Sequence, residues 1–200
     1  MWMRGGTSKG LYFLKNDIPY DIEKRRDFLL SVFGSPDKLQ VNGVGGGNPL
    51  ASKVAIVSKS KRPNIDVDYL FLQVAVDKYV VSSTQNCGNI LAGIGPFALE
   101  RGLIKPEKDK TNIRIFMENS NQVAVSTVET PNRKLTYKGH TYIDGVTLPG
   151  APISLEFLDI EGSLCGQLLP SGSAKDEVDG YSLTMIDNGM PCVIIEADQL

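Results

Sequence analysis

Cys87 is the residue whose type and surroundings most clearly point to chemistry. Gly88 and Asn89 follow it, and an apolar helical pattern begins at Ile90. A thiol at a helix N-terminus lies near the positive end of the helix dipole, which favours the thiolate that can act as a base. Gly88 lets a ligand approach the backbone, whose free N–H groups suit a carboxylate. A small buried cysteine that begins a helix is the alternative interpretation.

Two glycine-rich segments, residues 5–10 and 43–48, have the composition of phosphate-binding loops. A Walker loop requires Gly-Lys followed by Ser or Thr, whereas the order in the first segment is Ser-Lys-Gly. In the second segment Asn48 replaces the third glycine of a dinucleotide fingerprint, and Pro49 opposes immediate entry into a helix. Both patterns fail, and tight turns are an equally good interpretation of both segments.

The composition excludes several classes of protein. The 200 residues include 21 Lys+Arg against 23 Asp+Glu, a net charge of −2, so no overall positive field favours nucleic acid. No apolar window of membrane-spanning length and no apolar signal core is present, so we expect a cytoplasmic protein without membrane association. Three widely spaced cysteines without a CxxC pair argue against a disulfide scaffold or structural zinc. His140 stands alone and is a poor metal ligand, so we expect no metal.

Hydrophobic periodicity predicts short alternating elements. Residues 21–33 have near-helical apolar spacing, with Asp21 as a suitable N-cap. Residues 90–98 predict a second amphipathic helix that ends at Gly102 and has Cys87 at its N-terminus. Strands are predicted at residues 10–14, 54–57, 69–76, 79–81, 113–117, 123–125, 135–137, 153–157, 183–186 and 192–195. The pattern indicates an α+β fold that is mainly β.

Three motifs resemble the PrpF family in order and spacing. They are residues 3–10, residues 46–55, and residues 86–89 followed by residues 95–98. The family includes 2-methylaconitate cis-trans isomerase, 3-methylitaconate Δ-isomerase and 4-oxalomesaconate tautomerase. It has a diaminopimelate-epimerase-like fold, in which a curved mixed or antiparallel sheet wraps around a central helix. The resemblance covers essentially the whole chain, so we expect this α+β fold here.

The resemblance implies cofactor-independent proton transfer at carbon in an unsaturated di- or tricarboxylic acid. Lys53 and Cys87 match the family's proposed acid-base groups, which lie across the substrate from each other or act in succession. Removal of an allylic proton leaves a dienolate-like anion, which requires a base, a proton donor and fixed positive charge or N–H groups. Lys53 serves either as the base or as a protonated group that holds a carboxylate.

The resemblance also assigns substrate contacts in all three motifs. These residues are Thr7, Ser8, Lys9, Asn48, Asn86, Gly88 and Asn89. By this resemblance the Thr7-Ser8-Lys9 turn and Asn48 are expected to contact substrate carboxylates, and the backbone N–H groups of Gly88 and Asn89 to complete an anion cradle. Without the family resemblance, Lys9 and Lys53 would be interpreted as surface or ion-paired lysines. The expected partner is a small polycarboxylate, without a cofactor.

The ends of the chain depart from the family pattern. Members carry a strand before the MRGG motif and continue beyond the position of Leu200 with a second α/β domain that closes the cleft. We expect residues 1–180 to form the N-terminal epimerase-like domain and residues 181–200 to supply the first strands of a second domain. Residues 162–180 are rich in Gly, Ser and Pro and mark the boundary. Either the chain is an N-terminal half, or another subunit, as in a homodimer, supplies the second wall.

A turn at residues 188–191, Asn-Gly-Met-Pro, bears on the substrate. Other family members have a Gly-Asn-Pro-like turn there, and Met190 occupies the asparagine position. The Asn-Gly-Met-Pro sequence is associated with the oxalomesaconate tautomerase branch, which slightly favours 4-oxalomesaconate over the 2-methylaconitate of the methylcitrate pathway. The alternatives are an amino-acid racemase or epimerase and a non-catalytic carboxylate-binding half-domain. Cys165 and Cys192 are interpreted as packing cysteines.

Overall fold

The computed structural model describes residues 1–200, and strands make up most of the regular structure. The strands are β1 (Trp2–Gly5), β2 (Ser8–Leu14), β3 (Lys53–Lys59), β4 (Val67–Val74), β5 (Val81–Ser82), β6 (Asp109–Met117), β7 (Gln122–Thr130), β8 (Ile153–Leu158), β9 (Asp176–Val178), β10 (Tyr181–Asp187) and β11 (Pro191–Ile195). The helices are α1 (Ile22–Phe33), α2 (Gly88–Leu91) and α3 (Ile94–Glu100). None of these helices is long and apolar enough to cross a membrane. The chain divides into two units, Met1–Glu156 and Phe157–Leu200.

Eight strands form one mixed sheet in the order β1-β2-β3-β4-β6-β7-β8, with β5 paired to β4. The β2–β3 and β4–β6 pairs are parallel, while β1–β2, β3–β4 and β6–β7 are antiparallel. Parallel neighbours require long crossover connections. The first crossover contains α1, and the second contains α2 and α3. The mixed sheet and the α+β class agree with the sequence prediction.

Different helices cover the two faces of this sheet. On one face Phe97 of α3 packs with Tyr12 and other buried sheet residues in the larger core. On the other face Phe33 of α1 packs against Val54. Residues along β7 alternate strictly between buried and partly buried, as the period of two requires. The α2–α3 pair therefore takes the place of the expected central helix.

The single helix predicted over residues 90–98 is wrong, because the chain forms the two short helices α2 and α3 there. Gly93 separates them, and glycine has a low helix propensity. Pro96 has no N–H to donate to the preceding turn. The strand predicted at residues 135–137 is also wrong, since this segment is irregular. Leu135 still packs on the larger core, which accounts for its apolar character.

The unit Phe157–Leu200 contains a three-stranded antiparallel sheet in the order β11-β10-β9. Asp187, at the end of β10, is buried, and its Oδ2 accepts hydrogen bonds from the backbone N–H groups of Leu164 and Cys165, both at 2.7 Å. The predicted boundary between residues 180 and 181 falls inside this unit. The assignment of residues 181–200 to a further domain stays a prediction.

Candidate active site

Lys53 and Cys87 come together from two different elements. Lys53 begins β3, where its neighbours are Gly10 on β2 and Gln73 on β4. Cys87 occupies the N-cap position of α2, as the sequence predicted. The Nζ of Lys53 donates a hydrogen bond to the Sγ of Cys87 at 3.6 Å, and Nζ also lies 5.3 Å from the centre of the Phe71 ring. The two groups are in contact, so no substrate lies between them in this arrangement.

Gly10 allows this approach of β2 to the start of β3. A Cβ atom at Gly10 would collide with the carbonyl oxygen of Lys53. Only glycine therefore fits beside the first residue of β3 without moving one of the two strands. Gly10 is therefore not part of a Walker loop. Its role is to let β2 pair closely with β3, the strand that carries Lys53.

Two glutamines hold the turn that leads into Lys53. Gln40 is buried, and its Oε1 accepts hydrogen bonds from the backbone N–H of Gly47 at 3.0 Å and the hydroxyl of Ser52 at 2.9 Å. From the other side, Nε2 of Gln73 donates to the carbonyl of Ser52 at 2.9 Å. These bonds fix the backbone on both sides of the turn, and they therefore determine where β3 begins.

The second glycine-rich segment packs around Gln40. A Cβ atom at Gly45 would collide with the Gln40 side chain. Asn48 ends the segment, and its Oδ1 accepts a hydrogen bond from the N–H of Leu50 at 2.8 Å. Asn48 is exposed, and its amide nitrogen is the part of the side chain that this cap leaves for a ligand. The segment serves as a packed turn, in agreement with one of the two interpretations of its glycines.

The first and third motifs meet at Asn89. Its Nδ2 donates to the hydroxyl of Thr7 at 3.0 Å and to that of Ser8 at 3.4 Å, while the N–H of Thr7 donates to its Oδ1 at 3.4 Å. Gly6 adopts a φ of 52°, and a Cβ atom there would collide with the Asn89 side chain. The tip of the β1–β2 hairpin is therefore joined to the segment that carries Cys87.

Tyr12 supports this segment from the core. Its buried hydroxyl donates to the carbonyl of Ile90 at 2.8 Å. Burial, and secondarily the charge of Cys87, raises the pKa of Tyr12 and of Tyr69 well above the usual tyrosine range. Both phenols therefore stay protonated at neutral pH. The Tyr69 hydroxyl is buried without a hydrogen-bond partner.

A cavity of about 410 Å³, here called the tip cavity, lies beside the hairpin tip. It is lined by Arg4, Thr7, Ser8, Lys9, Asn48, Leu50, Ala51, Gly145, Val146 and Thr147. Four of the predicted substrate-binding residues therefore share one space, while Lys53 and Cys87 do not line it.

Asn86 and Gly88 are exposed on either side of Cys87. The structure contains no group of three or more His, Cys, Asp or Glu side chains placed to hold a metal ion.

Arg4, Gln40, Gln73 and Tyr12 were not predicted from the sequence as functional residues. Arg4 belongs to the motif at residues 3–10, so the motif offered a signal for that residue. Nothing in the local pattern marks a glutamine as buried, since glutamine is usually exposed. Gln40 and Gln73 become recognisable only through the hydrogen bonds that the fold creates.

Known proteins resemble this chain along its whole length. The family model described as "PrpF protein" matches residues 1–200. A (4E)-oxalomesaconate Delta-isomerase of Novosphingobium sp. (strain KA1) is 62% identical over 197 residues, which are 98% of this chain and 55% of that protein. A 4-oxalomesaconate tautomerase of Pseudomonas putida (strain KT2440) is 52% identical over 198 residues, 99% of this chain and 55% of that protein.

A solved structure agrees with the sequence matches. The crystal structure of a methylitaconate-delta-isomerase superimposes with a TM-score of 0.88 at 38% identity, covering 99% of this chain and 52% of the other. This match supports the diaminopimelate-epimerase-like α+β fold. The chain spans about half the length of the curated relatives that it matches. With a family model that covers every residue, the chain belongs to the PrpF family.

Proposed function

We propose that the whole protein is a cofactor-independent isomerase that moves a proton between carbons of an unsaturated di- or tricarboxylate, with 4-oxalomesaconate as the substrate. The contact between Lys53 Nζ and Cys87 Sγ carries this proposal, because it unites a base and a proton donor in one place. The two relatives with 62% and 52% identity bear oxalomesaconate isomerase and tautomerase names, which support the choice of substrate.

In the proposed reaction the Cys87 thiolate removes an allylic proton from the substrate. The C–H bond breaks, an S–H bond forms, and the electron pair spreads into the conjugated carboxyl system as a dienolate. The Lys53 ammonium then protonates the other end of the dienolate, so that its N–H bond breaks and a new C–H bond forms. The S–H proton passes to the Lys53 amine along the 3.6 Å contact and restores both groups.

The short contact favours transfer on one face of the substrate. Groups on opposite faces of a planar dienolate are separated by the thickness of the substrate, whereas Nζ and Sγ touch each other. Among the arrangements that the family resemblance allows, action in succession from the same side therefore fits this geometry. The backbone N–H groups of Gly88 and Asn89 lie next to Cys87 in sequence, where they can stabilise charge that develops on a substrate carboxylate.

Proton exchange in deuterated water tests this function with the intact protein. With 4-oxalomesaconate, the wild-type protein should incorporate deuterium and form the isomer. Cys87→Ala should reduce both rates by about 10²–10⁴-fold, the usual contribution of a general acid or base. Lys53→Met should abolish isomer formation but retain slow exchange at the deprotonated carbon, because the thiolate remains. The opposite pattern would show that Lys53 is the base.

Matched controls separate the proposed function from its alternatives. Cys165 and Cys192 are both exposed, so their interpretation as packing cysteines is wrong. Cys192→Ala and Lys108→Met therefore remove an exposed thiol and an exposed ammonium elsewhere, and both variants should keep wild-type rates. Exchange that is unchanged in Cys87→Ala and in Lys53→Met would exclude this mechanism. Faster turnover of 2-methylaconitate would reassign the substrate. Exchange at the α-carbon of amino acids would support a racemase, and tight carboxylate binding without turnover would support a binding protein.

A further inference from the structure

The Lys53 ammonium group has a sulfur atom as its only hydrogen-bond acceptor. Its Nζ donates to Sγ of Cys87 at 3.6 Å and takes part in none of the ion pairs of the structure. The centre of the Phe71 ring lies 5.3 Å from the same atom. No carboxylate therefore holds the nitrogen away from the thiol, and the flexible four-carbon stem of lysine lets the two atoms approach further.

Cys87 is the only cysteine in the unit Met1–Glu156, since Cys165 and Cys192 belong to the unit Phe157–Leu200. Its side chain is partly exposed, so a small oxidant can reach the sulfur. A peroxide converts a thiolate into a sulfenic acid, which then condenses with a thiol or a nitrogen or is oxidised further. Because its unit holds no second thiol, the partner that the structure places beside Cys87 is a nitrogen.

We propose that hydrogen peroxide joins Cys87 to Lys53 through a covalent Sγ–Nζ bond, a sulfenamide that thiols reduce. The inference goes beyond the proposed function, because it needs neither the substrate nor turnover. It rests on the contact between the two atoms and on the missing carboxylate partner of Lys53. The site is thus one of oxidative modification as well as of acid-base chemistry.

The bond forms in two steps. In the first, the Cys87 thiolate attacks hydrogen peroxide, so that the O–O bond breaks, an S–O bond forms and the leaving hydroxide takes up a proton to become water. The sulfur loses two electrons to the peroxide. In the second, the lone pair of the neutral Lys53 amine attacks the sulfur, the S–O bond breaks, and the hydroxyl group leaves as water with a proton from the nitrogen. The protein loses two hydrogen atoms overall, a fall of about 2 Da in mass.

The bond has two consequences for the protein. It consumes both the thiol and the amine, so the proposed proton transfer should stop until the protein is reduced. It also removes the sulfenic acid before a second peroxide molecule can convert it into an irreversible sulfinic acid. Dithiothreitol reverses the bond, because its thiolate attacks the sulfur, the amine leaves with a proton, and closure of the oxidised reductant releases the Cys87 thiol. The link therefore protects the thiol reversibly.

Peptide mapping of the intact protein after treatment with hydrogen peroxide tests the proposal. Trypsin should no longer cleave after Lys53, and residues 39–59 should appear joined to residues 79–101, with a mass about 2 Da below the sum of the two peptides. Dithiothreitol should release both peptides at their unmodified masses. The double variant Cys165→Ala/Cys192→Ala should give the same joined peptides, because neither of its thiols takes part.

Lys53→Met supplies the variant that cannot form the bond. Methionine keeps a flexible side chain without the amine, so Cys87 should instead gain two oxygen atoms, about 32 Da, in a form that dithiothreitol does not reverse. Lys108→Met removes an exposed amine elsewhere and should form the link as the wild type does.

Three results would overturn the proposal. They are a sulfinic acid as the first stable product of the wild type, a Cys87 that is joined to another thiol or to the backbone nitrogen of Gly88, and a reversible oxidation product that persists in Lys53→Met. Each of these results concerns the oxidised protein alone, so none of them decides whether the reduced protein exchanges a substrate proton.

Discussion

Lys53 Nζ and Cys87 Sγ lie 3.6 Å apart, although one residue begins a strand and the other caps a helix in the following crossover. The contact depends on the position of β3, which the Gln40 and Gln73 hydrogen bonds determine. It depends equally on α2, which Tyr12 holds from the core. Substitutions of residues that never touch the substrate should therefore also impair the proton transfer.

Lys53 and Cys87 should behave as one unit. The double variant Cys87→Ala/Lys53→Met should isomerise substrate no more slowly than the slower of the two single variants, because removal of either group already stops the proton cycle. Measured kcat values for the four proteins form a double-mutant cycle. Losses that multiply in the double variant would instead show that the two groups act independently.

Gln40→Leu should destabilise the protein and lower kcat. The change leaves the N–H of Gly47 without its acceptor, so we expect a loss of about 1–3 kcal/mol in the free energy of unfolding. Denaturant titration measures this loss. Gln40→Glu keeps an oxygen acceptor in the same place and should recover part of both properties. A Gln40→Leu protein with wild-type kcat would show that the turn does not position Lys53.

Tyr12→Phe removes a single hydroxyl from beneath α2. The carbonyl of Ile90 loses its buried donor, which should cost about 1 kcal/mol of stability and reduce kcat more than it changes KM. Unfolding curves and steady-state kinetics measure the two effects. Tyr142→Phe is the matched control, since Tyr142 is exposed and should tolerate the change. An equal loss in both variants would contradict a positioning role for Tyr12.

Asp187 should make its unit sensitive to acid. The backbone N–H of Cys165, together with that of Leu164, lowers the pKa of Asp187 below its usual value, and this effect outweighs burial. A lowered folded-state pKa means that the stabilisation is complete above the ordinary aspartate pKa of about 3.9 and is lost as the pH falls through the folded value. The protection of the two amides, calculated relative to the intrinsic exchange rate at each pH, should therefore fall in this acid range.

Asp187→Asn should remove that acid dependence. The amide of asparagine does not ionise, so protection of the Leu164 and Cys165 amides should be lower at neutral pH and nearly constant down to acid pH. The exposed Asp198 supplies the control, because Asp198→Asn should leave the wild-type profile unchanged. Identical profiles in wild type and Asp187→Asn would mean that another group governs the acid response.

Elements that depend on neighbouring residues could be predicted from the sequence. The Oδ1 of Asp21 accepts a hydrogen bond from the N–H of Lys24 at 2.9 Å, and Gly34 ends α1 at a φ of 77°. Both are local interactions, so residue type and spacing are sufficient to locate them. The start of β3 near Lys53 and the N-cap position of Cys87 were predictable for the same reason.

The break between α2 and α3 has local causes in Gly93 and Pro96, but the apolar spacing from which the helix was predicted does not record them. Apolar spacing is continuous from Ile90 to Ala98, so the pattern predicts one helix. The position of Gly93 against the Tyr12 hydroxyl allows no side chain, and this constraint comes from a residue far away in sequence. Periodicity reports which residues are buried, but it does not report which neighbour buries them.

The sequence by itself determined the α+β class, the family motifs and the types of residue that the chemistry needs. Only the tertiary structure decided that Lys53 touches Cys87, that Gln40 holds the turn before Lys53, and that Arg4 faces Lys9. Contacts between distant residues depend on strand order and register. The parallel pairing of β2 with β3 places Lys53 beside Gly10, and the antiparallel pairing of β1 with β2 places Arg4 opposite Lys9. The burial of side chains and the pairing of charged groups follow from that topology, and no local sequence pattern indicates either one.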